Sequence, residues 1–239
     1  REKYMNMNYT EFTHDIAEVP YEKPHTKFYA TLEEKNWAFE ERKRLGGDLF
    51  ILWVLMGSSV HKVWPHLDQI FARLLLTFPG IRIATIGDAG KSAVLDEPWK
   101  AEARVCRMAG KWSIRQTMAF AQCADLVIGP ETGVLNAVSM ENVWKILFLS
   151  HSTVKNLSRD WVNTISCVPE QVACYPCHQL HTRCFESCTR HEMGCAVCAV
   201  AIDADSVWQQ VKRVLGTMIA GQITAEYDNA DVEFTDREG

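Results

Sequence analysis

Residues 122–138 read Gln-Cys-Ala-Asp-Leu-Val-Ile-Gly-Pro-Glu-Thr-Gly-Val-Leu-Asn-Ala-Val, and no other stretch restricts the fold so tightly. A short apolar strand (Leu126, Val127, Ile128) meets a Gly129-Pro130 break. A carboxylate, a hydroxyl and a glycine follow at Glu131, Thr132 and Gly133, and then a new helix starts. In an open α/β fold this order sets backbone N–H groups, a hydroxyl and the positive end of a helix dipole at the carboxyl edge of a sheet. Such folds take phosphorylated ligands at that edge.

The same grammar extends to both sides. Thr31 and Glu34 form a capping box for a helix that ends at Gly46-Gly47, and residues 49–56 are a near-continuous apolar run of buried-strand length. Leu67, Ile70, Phe71, Leu74 and Leu75 fall at helical spacing within 65–78. A strand is expected over 81–86 and a helix over 97–109. A second capping box, Ser113 with Gln116, opens a helix reaching Cys123. Further on, the pattern predicts a strand at 126–128, a helix at 134–140, a strand at 145–149 and a last strand within 162–168. Strand–helix alternation of this kind predicts α/β architecture: a Rossmann-like parallel sheet with helices on both faces.

Five regions follow: 1–30, a linker or surface wrap; 31–170, the α/β domain; 171–200, rich in cysteine; 201–216, a helix capped by Asp205 and stopped by Gly216; and 217–239, an acidic, mobile tail. The formal net charge is -5, and the six carboxylates from Glu226 to Glu238, offset by Arg237, account for all of it. The body is therefore near neutral, which argues against nucleic acid as a partner. No apolar run reaches the roughly 18 residues of a membrane span and no signal-peptide pattern opens the chain, so a soluble, cytoplasmic location is expected. The chain opens on Arg1 rather than Met, which fits a segment of a longer polypeptide.

Two loops carry the candidate chemistry. After the strand at 49–56 comes Gly57-Ser58-Ser59-Val60-His61-Lys62, where a glycine would let a ligand approach the backbone and Lys62 would offer a point charge to a pyrophosphate. The plainer alternative is a solvated lysine beside a packed Trp64. For Glu131-Thr132-Gly133 the plainer alternative is a helix cap by Thr132. Both loops leave strands of one inferred parallel sheet, so both open on one edge. Residues 85–92, Thr-Ile-Gly-Asp-Ala-Gly-Lys-Ser, end like a phosphate loop but have Thr85 where that pattern needs glycine, which argues against a nucleoside triphosphatase.

In order, the Gly-Ser-Ser turn, Lys62-x-Trp64-Pro65, Gly87, Gly110-Lys111-x-Ser113 and Ala124 to Gly133 resemble the C-terminal half of glycosyltransferase family nine, the ADP-heptose:lipopolysaccharide heptosyltransferases and relatives. The resemblance implies the donor-binding half of a two-domain GT-B fold. It places a nucleotide diphosphate sugar against Gly57, Ser58, Lys62, Glu131, Thr132, Gly133 and Asn136, with no catalytic base among them. Glu131 stands where the family usually has aspartate, and Asn136 where many members have histidine. The acceptor wall and base belong to the other half, supplied upstream, by a partner polypeptide or by a homo-oligomer. Alone, the chain is expected to bind donor without transferring it.

Six cysteines crowd one window: Cys174, Cys177, Cys184, Cys188, Cys195 and Cys198. Two Cys-x2-Cys pairs match metal-knuckle spacing, because two intervening residues let a tight turn aim both sulfurs at one ion. A structural zinc or iron is the reading for a reducing compartment, disulfides the alternative for an oxidising one. By resemblance, iron held by cysteines occurs here in some bacterial autotransporter heptosyltransferases. Cys106, Cys123 and Cys167 are small core residues. Two functions stand: sugar transfer, heptose included, from a nucleotide diphosphate sugar to a hydroxyl; or a non-catalytic nucleotide- or partner-binding assembly protein with a structural metal site.

Overall fold

The computed structural model describes residues 7–23, 25–179 and 188–235, with side chains described through 220. Six strands make one all-parallel sheet: β1 (Leu49–Val54), β2 (Ile81–Ile86), β3 (Val105–Arg107), β4 (Leu126–Pro130), β5 (Trp144–Phe148) and β6 (Thr164–Cys167), in the spatial order β3-β2-β1-β4-β5-β6. β1 pairs with β2 on one side, Leu49 opposite Ile81, and with β4 on the other, Ile51 opposite Leu126. The chain therefore winds outward in both directions from β1. Its topological switch point lies between the carboxyl ends of β1 and β4, where doubly wound sheets open a crevice.

The helices are α1 (Tyr9–Ile16), α2 (Leu32–Leu45), α3 (Leu67–Thr77), α4 (Ile114–Ala121), α5 (Gly133–Ala137), α6 (Val197–Val200) and α7 (Ala204–Thr235). All six residues of β1 are buried. Because strand side chains alternate, Leu49, Ile51 and Trp53 join one core with α3 and α7, whereas Phe50, Leu52 and Val54 join a second with α4 and α5. Edge-on aromatic pairs seat both layers, Trp53 with Phe71 and Phe50 with Phe120, each at 5.1 Å between centroids. At the amino edge Asp125 Oδ2 accepts from Arg42 Nη2 and from the Phe50 amide, both at 2.7 Å. One carboxylate thus fixes α2, β1 and β4 at the closed edge and leaves the opposite edge to its loops.

Five expectations are corrected. Residues 97–109 form a 3-10 turn, Glu97–Trp99, and then β3 rather than a helix. Val105 pairs with Ile83, and Arg107 Nε on β3 donates at 2.8 Å to the buried Asp96, whose other oxygen accepts from Thr85 Oγ1 on β2. Edge pairing and that buried network outweigh the weak helix preference of Val105 and Cys106. Helix α5 is five residues, shorter than 134–140. Asp203, not Asp205, caps α7, accepting from the Ser206 amide at 2.7 Å, while Asp205 pairs with Arg73 at 2.6 Å. Gly216 does not stop α7, which runs to Thr235, since one helical glycine costs only about 1 kcal/mol.

The fifth correction concerns the N-terminal stretch, which carries α1 on a capping box missed in the sequence. Asn8 Oδ1 accepts from the Thr10 amide at 3.0 Å and Glu11 Oε2 accepts from the Asn8 amide at 3.1 Å. The segment lies against residues 153–161: the Tyr9 amide donates to Asn156 O at 2.8 Å, Asn156 Nδ2 to Met7 O at 3.0 Å, and Glu11 pairs with Arg159 at 3.0 Å. Farther along, Thr26 Oγ1 meets Ser139 Oγ at 3.0 Å and Gln122 Nε2 donates to Phe28 O at 2.9 Å. Among the described residues no helix is long and apolar enough to cross a membrane.

Candidate functional site

At the switch point the loops after β1, β4 and β5 meet. The first turns back through the 3-10 turn Val60–Lys62, closed by the Gly57 amide donating to Lys62 O at 3.1 Å and the Lys62 amide to Ser59 O at 2.9 Å. A side chain at Gly57 would place its Cβ 2.6 Å from Lys62 Cδ. The glycine therefore admits the stem of Lys62 across its own backbone, rather than a ligand as the sequence suggested. Ser58 is exposed, whereas Ser59 is buried with its hydroxyl 3.0 Å from His61 Nδ1.

His61 is buried, and its ring stacks on that of His151 with centroids 4.1 Å apart and planes at 38°. His151 leaves the end of β5; Ser150 beside it donates to His61 O at 2.5 Å. Glu131 Oε2 lies 3.5 Å from His151 Nδ1 and accepts from Ser152 Oγ at 3.0 Å. At 3.5 Å the carboxylate–imidazole contact is electrostatic rather than a short hydrogen bond. His61, His151 and Glu131 thus form a chain of side-chain contacts across the switch point.

Thr132 occupies the N-cap position of α5 but makes no side-chain cap bond, and its hydroxyl oxygen is buried without a partner among the described residues. A hydroxyl in that state costs about 1–3 kcal/mol, so the capping alternative does not account for Thr132. A Cβ at Gly133 would have Met118 Cε as its nearest neighbour, at 3.7 Å. That leaves space over the first turn, whose amides lack intrahelical acceptors. With five residues α5 has little macrodipole, so those amides rather than the dipole are its contribution. Asn136 is exposed, its Nδ2 turned back onto Thr132 O at 3.0 Å.

The cysteine-bearing segments lie on this same edge. Tyr175 Oη donates to Ser152 O and the His178 amide to His151 O, each at 2.9 Å. Trp64 Nε1 donates to Ile202 O at 2.9 Å, and His66 Nε2 sits 2.9 Å from Val200 O. Burial lowers the pKa of His178, opposed by the Glu131 carboxylate, which favours the protonated ring. Cys198 is buried and its thiol is pushed up to about 12 by burial, with Cys188, Cys177 and Cys174 close enough to add to the rise.

The described part of the segment does not show the expected metal knuckle. Among the described residues no three His, Cys, Asp or Glu side chains make a group that could hold a metal ion. Cys195 lies on the turn where Arg190 bridges to Ala196, its thiol raised by burial and opposed by the Arg190 charge. Cys184 lies outside the described residues. The phosphate-loop lookalike closes on itself: Asp88 Oδ1 accepts from the Gly90 and Lys91 amides at 2.9 and 2.7 Å, and Ser92 Oγ donates to Asp88 O at 2.5 Å. Those two amides are thereby occupied within the loop.

Sequence reasoning missed His61, His151, Ser152 and Tyr175, and read His178 only as a further candidate metal ligand. For the first two a signal existed: Ser150-His151-Ser152 directly follows a buried parallel strand, as His61 follows another.

An all-parallel sheet in this strand order, with its loops gathered at the switch point, is a Rossmann-like α/β domain. In particular, its fold is similar to that of a solved heptosyltransferase. ADP-heptose LPS heptosyltransferase II of E. coli superposes with a TM-score of 0.62 at 10% identity, over 84% of this chain and 57% of that one. A family-nine glycosyltransferase from Veillonella parvula gives 0.48 at 15% identity, over 59% and 41%. The chain thus spans little more than half of the first of these and less than half of the second. No protein-family model matches the sequence, and no curated protein matches it.

Proposed function

We propose that this chain is the donor-binding part of a glycosyltransferase that moves a sugar from a nucleotide diphosphate sugar to a hydroxyl. The observation that carries the reading is the convergence, at the switch point, of Lys62 held across Gly57 with the partnerless Thr132 hydroxyl beside the open first turn of α5. The ammonium would pair with the diphosphate, while the hydroxyl and the amides of Gly133 and Val134 would donate to it. These groups stabilise the charge that grows on the leaving diphosphate as the glycosyl bond breaks. Glu131, with its carboxylate oriented by Ser152, faces the sugar rather than the phosphates. Heptose is the sugar named in the E. coli structure that shares the fold, and an ADP-linked heptose is the first donor to try.

Calorimetry with ADP, UDP and GDP tests this. At least one nucleotide should bind, and Lys62→Ala should weaken it by about 1–3 kcal/mol through loss of one charge-assisted contact. No heat with any of the three, from a chain shown to be folded, would end the reading.

A further inference from the structure

Beside the donor groups a second space opens that the sequence did not announce. A cavity of about 640 Å³ lies between the N-terminal segment and the face of α5 that carries Gly133, Asn136 and Ala137. Its volume falls in the range of small-ligand pockets, about 300–1,000 Å³. None of residues 57–62 lines it, whereas Glu131, Gly133 and Asn136 do. The cavity therefore adjoins the donor edge through those three residues and not through the Lys62 loop.

Its chemistry is selective. Phe28, Trp161 and Met118 supply apolar faces, and Asn8, Thr26 and Asn136 are among the neutral hydrogen-bonding groups. Among the described residues that line it, only Lys27 and Glu131 are charged, and their signs cancel. An anion would find one lysine opposed by one carboxylate. A neutral ligand bearing many hydroxyls and one apolar face would find flat side chains for the face and amide, hydroxyl and carboxylate groups for the hydroxyls. The outer wall is fixed in place: Asn8 is buried with Nδ2 donating to Lys155 O at 3.4 Å, Thr26 meets Ser139 at 3.0 Å, and Gln122 holds Phe28 O at 2.9 Å. The Phe28 ring is also backed by the Arg115 guanidinium, 4.8 Å from its centroid.

We propose that this cavity is an acceptor subsite for a neutral glycan, with Phe28 and Trp161 against the sugar faces and Glu131 and Asn136 against its hydroxyls. The chain's own N-terminal segment then forms a wall facing the donor edge. The proposal rests on the reading of that edge as a donor site, and it assigns the second substrate.

Saturation-transfer NMR on the 239-residue chain, with methyl α-glucopyranoside, methyl β-galactopyranoside and methyl α-mannopyranoside as probes and no nucleotide present, tests it. At least one glycoside should receive saturation. Trp161 is partly buried and its removal endangers folding, so the diagnostic variant is Thr26→Trp, which fills the cavity from the outer wall. That variant should lose the glycoside signal at least tenfold and keep nucleotide affinity within about twofold. No transfer to any glycoside, or a signal undiminished in Thr26→Trp, overturns the subsite. Glycoside binding that is lost in Thr26→Trp, in a chain that gives no heat with ADP, UDP or GDP, supports the subsite and overturns the donor reading alone.

Discussion

Glu131 and His151 stand 3.5 Å apart at the ends of β4 and β5, and the His151 ring also packs on that of His61 at 4.1 Å between centroids. Three loops from three strands are thereby coupled through side chains, and the cysteine-bearing segment joins them through His178, whose amide holds His151 O. Glu131→Gln should separate charge from shape here, since the amide still accepts from Ser152. His178 is already lowered by burial, and the carboxylate is the group opposing that shift. Its pKa should therefore fall further in Glu131→Gln, read from the His178 imidazole resonance in an NMR titration. An unchanged or raised value would mean that the carboxylate does not act on this ring.

Gly57 offers a test that leaves Lys62 in the sequence. A Cβ at 57 would stand 2.6 Å from Lys62 Cδ and 3.0 Å from its Cβ, so Gly57→Ala must push the lysine off its path. Nucleotide affinity should drop by about 1–3 kcal/mol, as for removal of the ammonium itself. Full affinity in Gly57→Ala would mean that the lysine reaches phosphate from another position.

The sheet was legible because buried parallel strands are continuous apolar runs: β1 and β2 fall where residues 49–56 and 81–86 placed them. β3 was not, since Val105-Cys106-Arg107 is too short to show a period and its strand character comes from Ile83 and Asp96, distant in sequence. The candidate site divides in the same way. Lys62, Glu131 and Thr132 follow strands directly and could be named, as could their common edge. The His61–His151 stack and the cavity depend on which loops fold over one another and on how the N-terminal segment docks. Asn8 shows the limit well: Asn8-Tyr9-Thr10 reads as a sequon, yet the asparagine is a buried helix cap.

Thiol reactivity should sort the cysteines by depth. Cys174 is exposed, whereas burial pushes Cys198 and Cys167 up to about 12. At pH 8 a thiol of that kind is thiolate in roughly one molecule in ten thousand, and only the thiolate attacks. A short iodoacetamide pulse followed by peptide mass spectrometry should label Cys174 first, and Cys167 and Cys198 only after denaturant is added. Protection of Cys174 equal to that of Cys198, relieved by a chelator, would instead reveal a metal–thiolate centre.

Lys145 gives the pH dependence. It is the second residue of β5 and fully buried, with Nζ donating to Val138 O and Glu141 O, both at 2.8 Å, and so ties the stretch after α5 to the sheet. Burial lowers its pKa to about 8, outweighing the Glu141 carboxylate, which favours the ammonium. An unfolded chain keeps that proton to about pH 10.4. Below pH 8 both states hold it, and the group adds nothing to the slope. Between about 8 and 10.4 the unfolded state binds the extra proton, so the lysine's contribution to the free energy of unfolding rises with pH, by up to about 1.4 kcal/mol per unit. Lys145→Met removes the titration but also leaves both carbonyls without their donor, so the difference at a single pH mixes two opposed effects. The slope does not mix them. Urea unfolding of both chains from pH 7 to 10 should give a stability difference, native minus variant, that is flat up to about pH 8 and then climbs; a difference flat to pH 10 would mean that the two carbonyls hold the ammonium against its burial.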